Sequence, residues 1–294
     1  MEFRLTLPGG RELALGALPG VMAILNVTPD SFSDGGRFAS AEAAGEEGVR
    51  LAELGAAILD VGGESTRPRG AAYGDGAGEI SSSEEIVRVL PVLSYLRRTL
   101  PSFPLSIDTR RVEVARAALD AGADMVNVVT GLDVPEDLLE LVANRGAALV
   151  LNHCRGTPSS TFKESSFQNV THEVAEDLHA ARESALSSGI SEQKILVDPG
   201  LGFGKTSDQN FALLAALDRL APPGVPLVVG ASRKAFLGTV AGTPVSDRLP
   251  ESLAAAAVCA EAARKRPVLV RVHDAGETLR FFATLKRAGH PPLT

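Results

Sequence analysis

Eight short apolar runs in this sequence are each followed by a polar or glycine-rich group. In chain order these groups are Asn26, Gly62–Pro68, Asp108, Asn127, His153, Asp198, Gly230–Lys234, and Arg271 with His273. Carboxylates and amides of this kind can hold a ligand through paired hydrogen bonds, and the cations can hold an anion. A single group is typical of an ordinary polar loop. Eight together predict a functional site, provided that the runs end on one face of the fold.

One of these groups, DPGLGFGKTSD at 198–208, ends in Gly-Lys-Thr like a nucleotide-binding P-loop. A P-loop has a glycine five positions before its Gly-Lys-Thr segment, and this chain has Pro199 there. Proline has no backbone N–H to donate to a phosphate. The sequence therefore argues against an ATP cradle and leaves another role for the glycines.

The eight runs are rich in β-branched and small apolar residues and alternate with amphipathic helical stretches. This alternation predicts a parallel sheet. The predicted strands are Val21–Leu25, Ala57–Val61, Pro104–Ile107, Met125–Val128, Ala147–Leu151, Ile195–Val197, Pro226–Val229 and Pro267–Val270. Glycines at positions 55, 122, 146 and 189 lie where helices are expected to end.

Eight such units predict an α/β fold of the (β/α)₈ TIM-barrel type, in one domain covering residues 1–294. Residues 1–20 contain two short alternating runs around Gly9–Gly10, which predict an N-terminal β-hairpin that plugs the bottom of the barrel. Residues 21–294 form the predicted barrel. The alternative is an open doubly wound sheet, but no GxGxxG follows the first strand, as dinucleotide-binding sheets of that type require.

Composition limits the classes of partner. The 294 residues carry a formal net charge of −7, which argues against nucleic acid or an anionic membrane as partner. No apolar run approaches the roughly 18 residues that span a bilayer, and the first residues lack a signal peptide, so a cytoplasmic protein is expected. Its two cysteines, Cys154 and Cys259, cannot form a four-sulfur zinc site.

Six motifs resemble the dihydropteroate synthase family, in that family's order and from about the first strand to the last. They are ILNVTPDSFSDGG (24–36), DVGGESTRP (60–68), SIDT (106–109), DPGLGFGK (198–205), GASRKAFLG (230–238) and RVHD (271–274). The resemblance implies a transferase of folate biosynthesis. Such an enzyme joins 6-hydroxymethyl-7,8-dihydropterin diphosphate to p-aminobenzoate, giving 7,8-dihydropteroate and diphosphate.

The resemblance also implies which residues bind each substrate, and it implies a homodimer. The pterin is expected on Asp108, Asn127, Asp198 and Lys234: the first three supply acceptors for its adjacent N–H donors, and Lys234 supplies a cation or donor opposite. The diphosphate is expected on Asn26, Thr66, Arg271 and His273, with Mg²⁺ contacting Asn26. The p-aminobenzoate is expected on Arg67, Pro68, Phe203, Ser232 and Phe32, and the glycines of 198–205 then let Phe203 approach this ligand closely.

The sequence departs from the family pattern at two positions. NVV at 127–129 stands where the family usually has NDV, and NHCRG at 152–156 where it usually has MHMRG. Val128 and Asn152 therefore put the support of Asn127 and the apolar lining of the pterin pocket in question. The roles of Glu64 and His153 stay open.

Two rival functions can be compared with this reading of the motifs. A corrinoid-dependent pterin methyl transferase shares the fold group, but its cofactor-carrying domain has DxHxxG, whereas RVHDAG at 271–276 has arginine in place of the aspartate. A catalytically silent, pterin-binding paralogue is expected to lose the loop residues Asn26, Thr66 and Arg67, all of which are present. An active synthase is the favoured prediction.

Overall fold

The computed structural model describes residues 3–27, 41–64, 80–129, 133–155 and 166–289. The chain begins with a two-stranded antiparallel hairpin of β1 (Phe3–Thr6) and β2 (Glu12–Leu15). Eight parallel strands follow: β3 (Gly20–Asn26), β4 (Ile58–Gly62), β5 (Leu105–Asp108), β6 (Met125–Val128), β7 (Ala148–Asn152), β8 (Ile195–Asp198), β9 (Leu227–Val229) and β10 (Val268–Val272).

The eight parallel strands form a closed barrel in which β10 pairs with both β9 and β3. Each of the eight predicted strands is present, and the TIM barrel with an N-terminal hairpin is confirmed. Six strands extend one or more residues past the predicted end, and in β3, β4, β5 and β8 the added residues are Asn26, Gly62, Asp108 and Asp198. The hydrogen bonds between strands therefore fix the backbone of these residues. A position in a loop would not be fixed in this way. The prediction of a single domain stays a prediction.

Helices lie between the strands along the described chain. They are α1 (Ala41–Glu53), α2 (Ser82–Thr99), α3 (Val112–Asp120), α4 (Glu136–Arg145), α5 (Val170–Ser187), α6 (Ser207–Ala215), α7 (Ala235–Gly238), α8 (Leu249–Ala262) and α9 (Ala275–Arg287). Glycine ends α4 as expected, because Gly146 adopts the left-handed conformation there. Within the described ranges, no helix is both long and apolar enough to cross a membrane.

Strand side chains alternate between two apolar layers. Outward-facing residues such as Leu59 and Val126 pack under the helices in the larger core. Inward-facing residues such as Ile58 and Met125 form a smaller core inside the barrel, and the leucines of the hairpin join this inner core. The hairpin therefore closes the bottom of the barrel, as predicted, and leaves the carboxyl ends of the strands to the site.

A buried ion cluster fixes the hairpin to the barrel. Asp124, fully buried before β6, accepts hydrogen bonds from Arg11 Nε (2.6 Å) and Arg97 Nη2 (2.8 Å). Its Oδ2 also accepts from the backbone N–H of Leu105 at 3.0 Å. Two cations and a backbone donor thus compensate the buried charge of Asp124, which a single exposed ion pair would not do.

Candidate active site

The carboxyl ends of neighbouring strands carry the predicted polar residues in register. Asn26 on β3 pairs with Gly62 on β4, Gly62 pairs with Asp108 on β5, and Asp108 pairs with Asn127 on β6. Further round the barrel, Asp198 on β8 pairs with Asn152 on β7. The predicted residues Asn26, Asp108, Asn127 and Asp198 therefore lie at one end of one barrel.

Arg271 lies at the centre of this end and binds two carboxylates. Its Nε donates to Asp60 Oδ2 and its Nη2 to Asp108 Oδ2, each at 2.6 Å. The same Asp60 oxygen accepts a hydrogen bond from Asn127 Nδ2 at 3.0 Å. The bond to Asp60 fixes which end of the Asn127 amide is the nitrogen, and the other end is the carbonyl oxygen, an acceptor.

Asp60 is a site residue that the sequence analysis did not select. It is fully buried in β4, and it faces the barrel interior, two residues before Gly62. A sequence signal was available, because a charged residue within an apolar strand is rarely buried without a partner. Its Oδ1 and the hydroxyl of Ser106, its register partner on β5, have no hydrogen-bond partner within the described structure.

Lys234 and Asp198 lie on either side of Gly230. A Cβ built on Gly230 would lie 3.6 Å from Lys234 Nζ and 3.8 Å from Asp198 Oδ2, so this glycine borders the space between them. Lys234 Nζ also donates to the carbonyl of Leu201 and lies 4.5 Å from the ring centroid of Phe203. The predicted residues Lys234, Asp198 and Phe203 are therefore brought together.

Burial shifts the pKa values of the charged groups. It raises the pKa of Asp108 to about 7, opposed mainly by Arg271. It also raises the pKa of Asp198, opposed mainly by Lys234. Burial lowers the pKa of Lys234 to about 8, opposed mainly by Asp198. Perturbed groups of both signs at one mouth of a barrel are typical of a functional site.

The segment DPGLGFGKT is a tight turn that leads into α6. The backbone N–H of Gly200 donates to Asp198 Oδ1 at 2.7 Å, and Gly200, Gly202 and Gly204 all have positive φ. Thr206 forms a capping box with Gln209 at the start of α6. The Thr206 side chain is therefore used to begin a helix.

Lys205 is folded back onto this turn. It is 4% exposed, and its Nζ contacts the carbonyl oxygens of Gly200 (2.9 Å) and Phe203 (3.1 Å). Its Nζ also lies 3.0 Å from His153 Nδ1, and burial lowers the pKa of Lys205 to about 7. His153, whose role was open, has its Nε2 3.0 Å from Asp177 Oδ2.

The GASRK segment after β9 is strained and supported from outside. Arg233 has φ +59 and is the one non-glycine residue with positive φ in the described chain. Its Nε donates to Asp274 Oδ2 at 3.0 Å, and its carbonyl accepts from Arg248 Nη1 at 3.1 Å. Ser232, another predicted residue, accepts from the backbone N–H of His273 at 3.2 Å. Hydrogen bonds therefore link the motif at 230–238 to the motif at 271–274.

Arg271 and His273, both predicted for diphosphate, have different surroundings. The guanidinium of Arg271 is bound to the carboxylates of Asp60 and Asp108, whereas His273 is exposed at the mouth beside Ser232. Thr66, Arg67, Pro68 and Phe32 lie outside the described residues. The predictions for these four residues stay predictions.

Arg111 links Glu64, which follows β4, to Ile80, which precedes α2. Its Nη1 and Nη2 donate to Glu64 Oε2 (2.9 Å) and Oε1 (2.8 Å), and its Nη2 also donates to the carbonyl of Ile80 at 2.7 Å. Arg111 Nη1 also binds the buried Glu85. Glu64, whose role the sequence left open, is thus half of a bidentate ion pair at the end of β4.

The two departures from the family pattern fall on opposite faces of the barrel. Val128 is buried in the outer core, so it lies under the helices and not in the pocket. Asn127 is supported by Asp60 from inside. Asn152 is 3% exposed, faces the interior level with Asp198, and its Oδ1 has no described partner. Of the two, Asn152 alone changes the polarity of the pocket lining.

A metal ion fits this mouth only in part. The described residues contain no group of three or more His, Cys, Asp or Glu side chains arranged to hold one. Asn26 Oδ1 and Asp108 Oδ2 both lie beside Gly62, at 3.5 Å and 3.7 Å from the position of a Cβ built on it. A single amide oxygen suits a Mg²⁺ ion that obtains its remaining ligands from phosphate and water.

The barrel and this cluster define an α/β-barrel enzyme with a charged, hydrogen-bonding pocket at the carboxyl ends of its strands. The sequence profile of the family described as pterin binding enzyme matches residues 22–273. The chain belongs to this family.

Named relatives agree with the profile. A dihydropteroate synthase of Synechocystis is 41% identical over 254 residues, covering 86% of this chain and 84% of its own length. The enzyme of Mycobacterium leprae is 42% identical over 258 residues, covering 86% and 88%. The Xanthomonas albilineans dihydropteroate synthase with 4-aminobenzoic acid has a TM-score of 0.86 and 40% identity, covering 99% of this chain and 100% of its own. The same enzyme with 7,8-dihydropteroate has a TM-score of 0.82 and 37% identity, covering 98% and 100%. The family resemblance inferred from the motifs is confirmed.

Proposed function

We propose that this protein catalyses the dihydropteroate synthase reaction of folate biosynthesis. It condenses 6-hydroxymethyl-7,8-dihydropterin diphosphate with p-aminobenzoate and releases diphosphate. The observation that carries the proposal is the set of acceptors, Asp108, Asn127 and Asp198, at one barrel mouth with Lys234 opposite. The relatives bearing this name and their complexes with 4-aminobenzoic acid and 7,8-dihydropteroate support it.

The pterin occupies the acceptor side of the pocket. Its aminopyrimidinone edge shows adjacent N–H donors, and a carboxylate accepts such a pair in a bidentate manner. Three buried carboxylates (Asp60, Asp108, Asp198) face two cations (Arg271, Lys234). The pocket therefore has one negative charge in excess when all five groups are ionised, and it suits a ligand rich in donors.

The diphosphate occupies the exposed side, near His273 and Asn26. This side borders Arg271, whose single positive charge is already offset by the two carboxylates it binds. Mg²⁺, held through Asn26, would neutralise the phosphate oxygens of the leaving group when it is bound. Thr66 is the fourth residue assigned to binding the diphosphate.

The p-aminobenzoate lies between Phe203 and Ser232. Arg67, Pro68 and Phe32 are also assigned to binding this substrate. Ser232 is 7% exposed and its hydroxyl lies 3.2 Å from His273 Nδ1. The ring of Phe203 lies 4.5 Å from Nζ of Lys234, which is assigned to the pterin. The aromatic substrate on Phe203 is therefore adjacent to the pterin.

The reaction needs positioning more than a dedicated base. The aniline nitrogen attacks the pterin methylene carbon, the bond from this carbon to the bridging oxygen breaks to release diphosphate, and the nitrogen then loses one proton to water. Since the aniline is a neutral nucleophile, holding the two substrates in line and stabilising the leaving group account for most of the catalysis.

The proposal also includes a cytoplasmic location and a homodimer. One structural observation supports the homodimer. Large apolar side chains are exposed to solvent on α8 and in the segment before it: Val258, Val240 and Val245. Exposed apolar residues of this size are typical of contact surfaces when they cluster. Light scattering on the purified protein measures the oligomeric state directly.

Diphosphate release is the test of the function. The purified protein is given the pterin diphosphate and Mg²⁺, with and without p-aminobenzoate. Release should require p-aminobenzoate and should collapse in Asp198→Ala and Lys234→Ala. The matched controls Asp218→Ala and Lys265→Ala remove another Asp–Lys pair, 2.8 Å apart on the surface, and should keep activity. Pterin binding by calorimetry without release would instead indicate a silent paralogue.

A further inference from the structure

Lys205 is a buried cation to which the proposed reaction assigns no part. Its Nζ contacts four acceptors: the carbonyl oxygens of Gly200 (2.9 Å), Phe203 (3.1 Å) and His153 (3.3 Å), and Nδ1 of His153 (3.0 Å). An ammonium has three N–H donors, so the acceptors around it are sufficient to use all of them. A buried lysine with this many partners has a definite position.

Two of these acceptors belong to the turn that Lys205 itself ends. The glycines of the turn have positive φ, which lets the backbone curl around the ammonium. Gly200 lies against β7 so closely that a Cβ on it would be 1.8 Å from the carbonyl oxygen of His153. The turn 200–203 is therefore fixed on two sides, by Lys205 within and by the end of β7 beneath.

The turn presents two groups to the pocket. The carbonyl of Leu201 accepts from Lys234 Nζ, and the ring of Phe203 lies over the same ammonium at 4.5 Å. The backbone of Asp198, by contrast, is held by the strand ladder of β8, pairing with Asn152, and its side chain meets the turn only where Oδ1 accepts from the N–H of Gly200 at 2.7 Å. Loosening of the turn should therefore move Phe203 more than Asp198.

A second layer of side chains holds His153 in the orientation that Lys205 requires. Burial and the charge of Lys205 lower the pKa of His153 to about 4, so its ring is neutral at neutral pH. Nε2 lies 3.0 Å from Asp177 Oδ2, and Arg155 Nε donates to the same oxygen at 2.9 Å. With its proton on Nε2 toward Asp177, His153 has Nδ1 free to accept from Lys205.

We propose that Lys205 is a positioning residue for the aryl-amine substrate, and that its ammonium holds the turn 200–203 so that the Phe203 ring faces that substrate. This inference rests on the proposed function, in which Phe203 contacts p-aminobenzoate. It assigns the lysine of the Gly-Lys-Thr sequence a role within its own loop.

The test compares Lys205→Met, which removes all donors, with Lys205→Gln, which keeps two N–H donors without the charge. Lys265→Met is the matched control, because Lys265 is an exposed lysine paired with Asp218. We expect Lys205→Met to raise the KM for p-aminobenzoate about tenfold, with the pterin dissociation constant within about threefold of the parent by calorimetry. The Gln variant should lie between Met and the parent, and Lys265→Met should match the parent.

A second measurement does not depend on turnover. The chain contains no tryptophan and two tyrosines, so Phe203→Trp gives a single tryptophan on the turn, whose fluorescence is excited at wavelengths that tyrosine does not absorb. Acrylamide should quench this tryptophan more strongly in the Lys205→Met background than in the Lys205 background, because the turn is less ordered.

Three outcomes would overturn the inference. One is a folded Lys205→Met protein with an unchanged p-aminobenzoate KM, and a second is equal weakening for the pterin and the aryl amine. The third is equal quenching in both backgrounds. If Lys205→Met does not fold, the Gln variant decides by the same criteria. A parent protein that releases no diphosphate contradicts the proposed function, whereas the quenching comparison still tests the role of Lys205.

Discussion

Arg271 Nε donates a 2.6 Å hydrogen bond to Asp60 Oδ2, and that same oxygen accepts from Asn127 Nδ2 at 3.0 Å. One buried carboxylate on β4 thus orients two pocket side chains that come from β10 and β6. The cation is shared, because Arg271 also binds Asp108. The position of the arginine and the direction of the amide both depend on Asp60.

Asp60→Asn should weaken pterin binding. The neutral amide no longer balances Arg271, and it can turn a donor toward Asn127, which removes the reason for Asn127 to present its oxygen to the pocket. We expect the dissociation constant of 6-hydroxymethyl-7,8-dihydropterin to rise about 10–100-fold, or about 1.4–2.8 kcal/mol. Calorimetry measures it. Asp120→Asn is the control, since Asp120 ends α3 on the surface, and an equal loss in both variants would contradict the role given to Asp60.

Pterin binding should depend on pH in a bell-shaped manner. Asp108, with a pKa raised to about 7, is protonated and loses acceptor capacity below that pH. Lys234, with a pKa lowered to about 8, loses its proton above that pH. Affinity should therefore rise as the pH increases through 7 and fall as it increases through 8.

Lys234→Arg separates the two limbs of this profile. Arginine keeps its charge across the whole range, so the alkaline decrease should disappear while the acid limb remains. Calorimetric titrations from pH 6 to 9 give both profiles. A flat profile for the parent protein would show that neither group titrates in the binding-competent pocket.

Arg111→Met should destabilise the protein strongly. Arg111 binds Glu64 through both carboxylate oxygens and also binds Glu85, which is fully buried. Removing the arginine leaves a buried carboxylate without its cation, so the free energy of unfolding should fall by about 3–5 kcal/mol. Urea unfolding measures it. Arg145→Met breaks the exposed pair with Asp120 and should cost less than about 1 kcal/mol.

Gly200→Ala tests the contact between the glycine turn and β7. Gly200 has φ +65, and an added Cβ would lie 1.8 Å from the carbonyl oxygen of His153. Gly224→Ala is a matched control, because Gly224 has φ +85 with no atom within 4 Å of the added Cβ. Both variants bear the cost of positive φ, about 1–2 kcal/mol.

Only Gly200→Ala must also displace the backbone. Its loss of unfolding free energy should exceed that of Gly224→Ala by at least about 2 kcal/mol, a difference typical of severe overpacking. Thermal unfolding of the two variants side by side gives the comparison. Equal losses would mean that the turn can move away from β7 at little cost.

The sequence predicted the barrel because each strand is a short apolar run with its own helix after it, and period and length are local properties. It also predicted most of the pocket, since a polar residue directly after an apolar strand is visible without knowing the partner strand. Asp108 and Asp198 were found in this way, and Asn127 was found within the last two residues of its own strand. One residue, Pro199, argued against a P-loop at the glycine turn.

The sequence did not predict Asp60 as part of the site, nor the partners of Lys205. Asp60 lies 211 positions from Arg271 in the chain, and no local pattern joins residues so far apart. Likewise the lysine at 205 is as consistent with a solvent-exposed loop as with a buried ammonium until the turn and β7 are placed together.

What the sequence determined alone is the order of the strands and the chemical type of the group at each strand end, because these depend on neighbouring residues. Tertiary structure decided which of those groups form ion pairs with one another and which atom of each side chain faces the pocket. Closing the barrel brings β10 beside β3 and directs Arg271 into the interior, and only there do burial and a second carboxylate fix its partners. Electrostatics in a buried pocket depends on distances through space, and the fold sets those distances.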